Sequence, residues 1–149
     1  GTNLKKSKFR RAVFENAVFE GVNLGDVDFR DAEFKNVIFV GCDLSSAKSL
    51  EYKESEVRVF DEIPELDISK GLEEAVLKAM GNEKVKSSRV LDTKDGGINP
   101  ISIMILLEKF SEKNLISGLN ILSDRLDRDF CTLSYITKCI ETYGKEGIL

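Results

Sequence analysis

The chain has 149 residues, enough for one domain or two small ones at roughly 150 residues per domain, and its 42% hydrophobic and 32% charged residues suit a soluble globular protein. It contains no histidine, which removes Ser-His-Asp and Cys-His catalysis and every His-containing metal site. A net charge of −4 gives no overall drive toward nucleic acid or an anionic membrane.

The N-terminus is polar and has no apolar segment of signal-peptide type. The chain opens on Gly1 and not on Met, which reads as a trimmed chain or a fragment of a longer protein, with further repeats ahead of Thr2. From Thr2 onward the sequence falls into steps of five. The third position of each step is Leu4, Phe9, Phe14, Phe19, Leu24, Phe29, Phe34, Phe39 and Leu44. The first position is Thr2, Ser7, Ala12, Ala17, Val22, Val27, Ala32, Val37, Cys42 and Ala47, each small or β-branched. The fourth and fifth positions are mostly charged, polar or Gly. A period of five fits neither a helix at 3.6 nor a strand at 2. It fits a solenoid in which each unit turns one corner, with the large and the small residue inward and the rest outward. One unit alone cannot bury its face, so the coils must stack. The register fails in the tenth unit, where Ser49 stands at the large position and Leu50 comes one place late; this predicts the end of the stack.

These residues resemble the pentapeptide-repeat family, whose consensus is A-[D/N]-[L/F]-x-x, over residues 2 to about 48. The resemblance implies a right-handed quadrilateral β-helix with four pentapeptides per coil. Ten units would then make about 2.5 coils, a stub at roughly 4.8 Å per layer. The nine Leu and Phe residues at the third positions are the expected repeat core. Open β edges invite aggregation and are normally covered, so the segment after Leu50 is expected to cap one end.

Residues 51–68 read as a connector, with a short strand at Val57-Arg58-Val59-Phe60 and Pro64 arguing against a helix. Residues 69–149 read as an α-helical bundle, as a separate domain or as a cap on residues 1–50. Ser69 is an N-cap, followed by Leu72, Val76, Leu77 and Met80 on one face and Gly81 as the stop. Residues 82–97 are polar, and Asp95-Gly96-Gly97 signals a turn. Asn99-Pro100 is a cap followed by Pro at the first helical position. The helix it opens is apolar nearly all round from Ile101 to Phe110, which predicts a central buried element. The uncharged stretch Ile98 to Leu107 is nonetheless far short of the roughly 20 residues that span a bilayer. Leu115, Leu119, Leu122 and Leu126 define a third helix. Phe130, Leu133, Ile136, Ile140 and Tyr143 define a fourth, ending at Gly144. Charge shifts along the chain, from +1 over residues 1–50 to −5 over residues 51–149.

No constellation of catalytic residues emerges, and no cofactor or metal site is expected. Cys42, Cys131 and Cys139 are odd in number and form no CxxC pair. They read as reduced thiols in a reducing compartment and not as a disulfide framework or a zinc site. Asp95-Gly96-Gly97 lacks the Lys-Ser/Thr of a phosphate loop. Asp124, Asp127 and Asp129 are interrupted by Arg125 and Arg128 and lack the spacing of a calcium loop. Glu73-Glu74 offsets a helix dipole. Lys5, Lys6, Lys8, Arg10 and Arg11 could meet phosphate, but Phe9 points inward and leaves no aromatic for base stacking; they read as a solvated face.

Three functions are weighed. The first is a non-catalytic interaction or scaffold module of a bacterial pentapeptide-repeat protein, with a protein partner, no nucleic acid and no membrane span. The second is the substrate- or host-protein-binding part of a secreted HECT-like ubiquitin ligase effector of enteric pathogens, in which the repeats precede helices and the catalytic cysteine lies in a separate lobe. The corresponding location is the bacterial cytoplasm, or a host cell if the chain is an effector. The third is a topoisomerase inhibitor that mimics DNA; the resemblance implies a long acidic β-helix for that role, and a short repeat of net charge +1 departs from it.

Overall fold

A computed structural model of the chain describes residues 3–93, 95–126 and 131–149. The chain forms two compact units, Gly1–Pro64 and Glu65–Leu149.

The first unit holds five short strands, β1 (Val13–Glu15), β2 (Val18–Glu20), β3 (Glu33–Lys35), β4 (Val37–Val40) and β5 (Val57–Phe60). All pairings are parallel, with β1 on β3 and β2–β4–β5 side by side. Every partner lies 20 residues away, as in Phe14↔Phe34, Phe19↔Phe39 and Phe39↔Val59. The isolated bridges Asn3↔Asn23, Lys8↔Asp28 and Asp28↔Lys48 keep the same offset. Four five-residue units therefore bring the chain back onto its own backbone, and four ladders of stacked segments result.

The fifth position makes the corner. Lys6, Arg11, Asn16, Asp26, Asp31 and Asn36, with Gly21 and Gly41, all have φ between +51° and +65°. A left-handed residue every fifth place bends an extended chain at that period. It costs a non-glycine residue roughly 1–2 kcal/mol, and Asn and Asp tolerate it best. The second position decides what lies between corners. Asn3, Asn23, Asp28 and Asp43 each accept a hydrogen bond at 2.9–3.1 Å from the amide two residues on, an Asx turn. Where Val13, Val18, Glu33 and Ile38 occupy that position, the unit is a strand.

Beyond residue 43 the units change shape. A 3-10 turn spans Leu44–Ser46, and the corner moves to Ser49, with φ +55°. The sequence predicts that the stack stops here. The pairing instead continues on one side through β5, which adds to β4 at the same 20-residue offset. Backbone pairing requires amides and carbonyls but no Phe, and Val57 still joins the apolar interior.

The second unit holds α1 (Lys70–Met80), α2 (Glu83–Ser88), α3 (Pro100–Lys109), α4 (Glu112–Arg125) and α5 (Leu133–Lys145). Ser69, Asn82, Asn99, Ser111 and Thr132 cap them, each side chain accepting from an amide of the first turn. Pro100 occupies the first helical position of α3, as expected. One core gathers Leu72, Val76 and Ala79 of α1, Leu115, Leu119 and Leu122 of α4 and Ile136 and Ile140 of α5, with Leu106 and Val85. The Asn82 amide donates to the carbonyls of Ser123 and Leu126 at 3.1 and 3.2 Å, fastening the start of α2 to the end of α4.

Four helices are expected from the sequence, and the described residues hold five. The extra one, α2, is polar and buries only Val85. α3 is not buried all round: Ile101, Ser102, Ile103 and Leu106 are buried, while Met104, Ile105 and Leu107 are half-buried. Gly81 ends α1 in an ordinary right-handed conformation, φ −70°, without using glycine's freedom. Phe130, expected in α5, lies outside the described residues, as do Asp127 and Asp129.

Candidate binding surface

The nine third-position residues meet in one apolar cluster. Leu24, Phe29, Phe34 and Phe39 are buried in it, and Leu4, Phe9, Phe14, Phe19 and Leu44 are half-buried against it. Rings one turn apart stack: Phe9 on Phe29 at 5.9 Å, Phe14 on Phe34 at 5.3 Å and Phe19 on Phe39 at 4.9 Å between centroids, with planes 13–18° from parallel. Rings within one turn meet edge-to-face, as Phe9 with Phe14 and Phe14 with Phe19. Both arrangements suit the ring quadrupole. The small first positions lie beside them, Val22, Val27 and Val37 buried.

The outward side chains form rows. Lys8, Asp28 and Lys48 share one, so charge alternates along it. Glu15 stands in register with Lys35. Lys5, Lys6, Lys8, Arg10 and Arg11 are all exposed, and Arg10 is engaged: its Nε donates to Asp28 at 2.6 Å. That bond, followed by the Arg30 amide at 3.0 Å, holds the Asp28 carboxyl below its usual pKa.

One side of the stack is incomplete. The β2–β4 ladder has a third strand, but among the described residues β1–β3 has none. Twenty residues beyond Phe34 stands Glu54, a polar residue at the large position, and residues 51–55 form no strand beside β3. A groove of about 780 Å³ lies beside β3, lined by Glu33, Phe34, Lys35, Tyr52, Lys53 and Glu56. Tyr52 meets Phe34 edge-on at 6.5 Å. The Glu56 carboxylate accepts from the Asn36 amide at 2.9 Å, where a neighbouring strand would offer a carbonyl. None of these groove residues stands out in the sequence by type. The signal that could have found them is the loss of Phe or Leu at position 54.

The other candidates are dispersed. Cys42, Cys131 and Cys139 are in no disulfide among the described residues. Cys131 is buried and its amide donates to Ser88 Oγ at 2.9 Å. Asp95-Gly96-Gly97 is a turn, closed by Gly96 donating to the Thr93 carbonyl and Thr93 to that of Gly97. Asp124 is exposed and 3.7 Å from Lys78 Nζ. Glu73 lies in the first turn of α1. Among the described residues no group of three or more Cys, Asp or Glu is placed to hold a metal ion, and no helix is long and apolar enough to cross a membrane.

A family model for pentapeptide repeats matches residues 1–47 in 9 copies, the segment and family to which the sequence pattern pointed. No curated protein and no solved structure matches the chain.

Proposed function

We propose that this chain, whose first third is a run of pentapeptide repeats, is a non-catalytic protein-interaction module, a scaffold part of a bacterial pentapeptide-repeat protein. The observation that carries the reading is the 20-residue register. It sets outward side chains in fixed rows on a backbone held from layer to layer, the property by which repeat proteins bind partners. The four ladders and the left-handed corners support a quadrilateral β-helix, right-handed by family resemblance, with the helical unit as a small bundle. The Leu and Phe column, Leu4 to Leu44, is its structural core.

The test is affinity capture from source cells with the whole chain and with a row-reversed variant, in which one charge in each of two exposed rows is reversed, Lys35→Glu with Lys8→Glu. A partner that binds in fixed stoichiometry and is lost with the variant is the expected result. Equal capture by both chains, or none, sinks the reading.

The effector-ligase reading draws support from the order of repeats followed by helices. Its test is ubiquitin transfer by the natural protein, with inactivity as the outcome against it. The DNA-mimic reading draws none from the rows: Lys8, Asp28 and Lys48 alternate in sign where a phosphate mimic needs a continuous acidic track.

A further inference from the structure

The incomplete side of the repeat unit has the chemistry of a peptide site. In the β1–β3 ladder Glu33 donates to the Ala12 carbonyl, and Asn16 donates to the carbonyl of Lys35. Bonding direction alternates along a strand. Glu33 and Lys35 thus address β1, while the Phe34 amide and carbonyl point to the opposite edge. Among the described residues no strand pairs with that edge. On the adjoining side the same edge is filled, with Val37 and Gly41 donating to the carbonyls of Glu56 and Phe60. The groove beside β3 thus lies along an edge with which no strand pairs among the described residues.

We propose that β3 takes an extended peptide of a partner protein as a third, parallel strand, and that the peptide carries a basic, an apolar and an acidic residue in succession. This rests on the interaction-module reading and assigns it a site. Charge complementarity sets the order. Glu33 and Lys35 are exposed and flank Phe34, so a parallel strand sets its basic residue opposite Glu33 and its acidic residue opposite Lys35. The existing ladder already obeys this rule at Glu15↔Lys35. The middle side chain packs onto the Phe34–Tyr52 pair. Main-chain bonds to Phe34 supply affinity, and the alternating side chains supply selection.

The probe is the fluorescent peptide Val-Thr-Lys-Phe-Glu-Thr-Val, titrated into the whole chain by anisotropy. Binding at about 10–100 μM is expected for so short a ladder. N-methylation of the peptide Glu amide, which donates to the Phe34 carbonyl, weakens binding about five-fold. Glu33→Lys weakens it about three-fold, and a peptide with Glu in place of Lys restores it. Glu33 faces Val13 on β1, but Lys35 and Lys53 line the same groove, so restoration by the exchanged peptide, and not the loss alone, carries the test. Three results overturn the proposal: no binding, binding indifferent to N-methylation, or preference for the peptide with Lys and Glu exchanged, which marks an antiparallel strand. Failure here while the row-reversed chain still loses its captured partner removes the groove and leaves the module.

Discussion

Phe14 and Phe34 lie one turn of the stack apart, their ring centroids 5.3 Å from each other and their planes 13° from parallel. Phe34 also meets Phe29 and Phe39, at 5.6 and 6.1 Å. The column is therefore a continuous aromatic core whose depth varies by layer. Phe39 is fully buried, whereas Phe9 in the first turn is half-buried. Truncation should track that gradient. Phe39→Ala should cost about 3–5 kcal/mol and Phe9→Ala about half as much. Urea unfolding of the two variants checks the order, and equal losses would show that layer depth is irrelevant.

The corners allow a stabilising test. Arg11 and Asp31 hold φ of +62° and +59° without being glycine. Arg11→Gly should gain up to about 1 kcal/mol by removing the left-handed penalty, and Asp31→Gly rather less. Gly21, at φ +59°, has nothing within 4 Å of an added Cβ. Gly21→Ala therefore isolates the backbone contribution and should cost about 1 kcal/mol. Thermal melts of the three variants give the signs.

These corners also explain what the sequence made legible. A period of five with a large residue at every third position is strict from Leu4 to Leu44, because each such side chain enters one shared interior. The strand β5 stands where the sequence predicts one, at Val57–Phe60, but its pairing onto β4 is hidden for the same reason. Its residue in register with Phe39 is Val59, which is 46% exposed and carries no pattern of inward size. The groove beside β3 is hidden more deeply, since it arises where residues 51–55 form no strand, and a failure to pair has no residue signature except Glu54. In the second unit, α2 escapes periodicity because six residues bury one side chain. Its cap, Asn82 followed by Glu83, was the available sign.

Asp28 gives the first unit a pH dependence. Its pKa is lowered, first by the hydrogen bond from Arg10, so the folded state binds its proton less readily than the unfolded chain. The stabilisation is therefore present above the unfolded value of 3.8 and fades as pH falls through the lower folded value. Asp28→Asn keeps an oxygen for the Arg30 amide and loses the ion pair; Asp28→Ala loses both. Urea midpoints measured from pH 7 to pH 2 should show the Asp28→Asn and parent chains converging in acid, with the Asp28→Ala chain lower throughout. A gap between Asp28→Asn and the parent that persists at pH 2 would dissociate it from Asp28 ionisation. The exposure of Arg10 also predicts that high salt narrows the gap at neutral pH.

Gly118 and Gly71 both lie in helices, and their surroundings predict opposite outcomes for one substitution. A Cβ at Gly118 would stand 2.8 Å from both Cγ atoms of Ile140, at the crossing of α4 and α5. Those atoms branch directly from the Ile140 Cβ and cannot swing aside as a long side chain would. Gly118→Ala gains roughly 1 kcal/mol in helix propensity and loses about 1–3 kcal/mol in overpacking, so the loss prevails. At Gly71 in α1 the nearest atom is Ile116 Cδ1 at 3.5 Å, an ordinary contact. Gly71→Ala retains the propensity gain and should stabilise by about 0.5–1 kcal/mol. Urea unfolding of the pair measures both signs against one propensity scale. A stabilised Gly118→Ala chain would mean that α4 and α5 cross farther apart than the Ile140 contact places them.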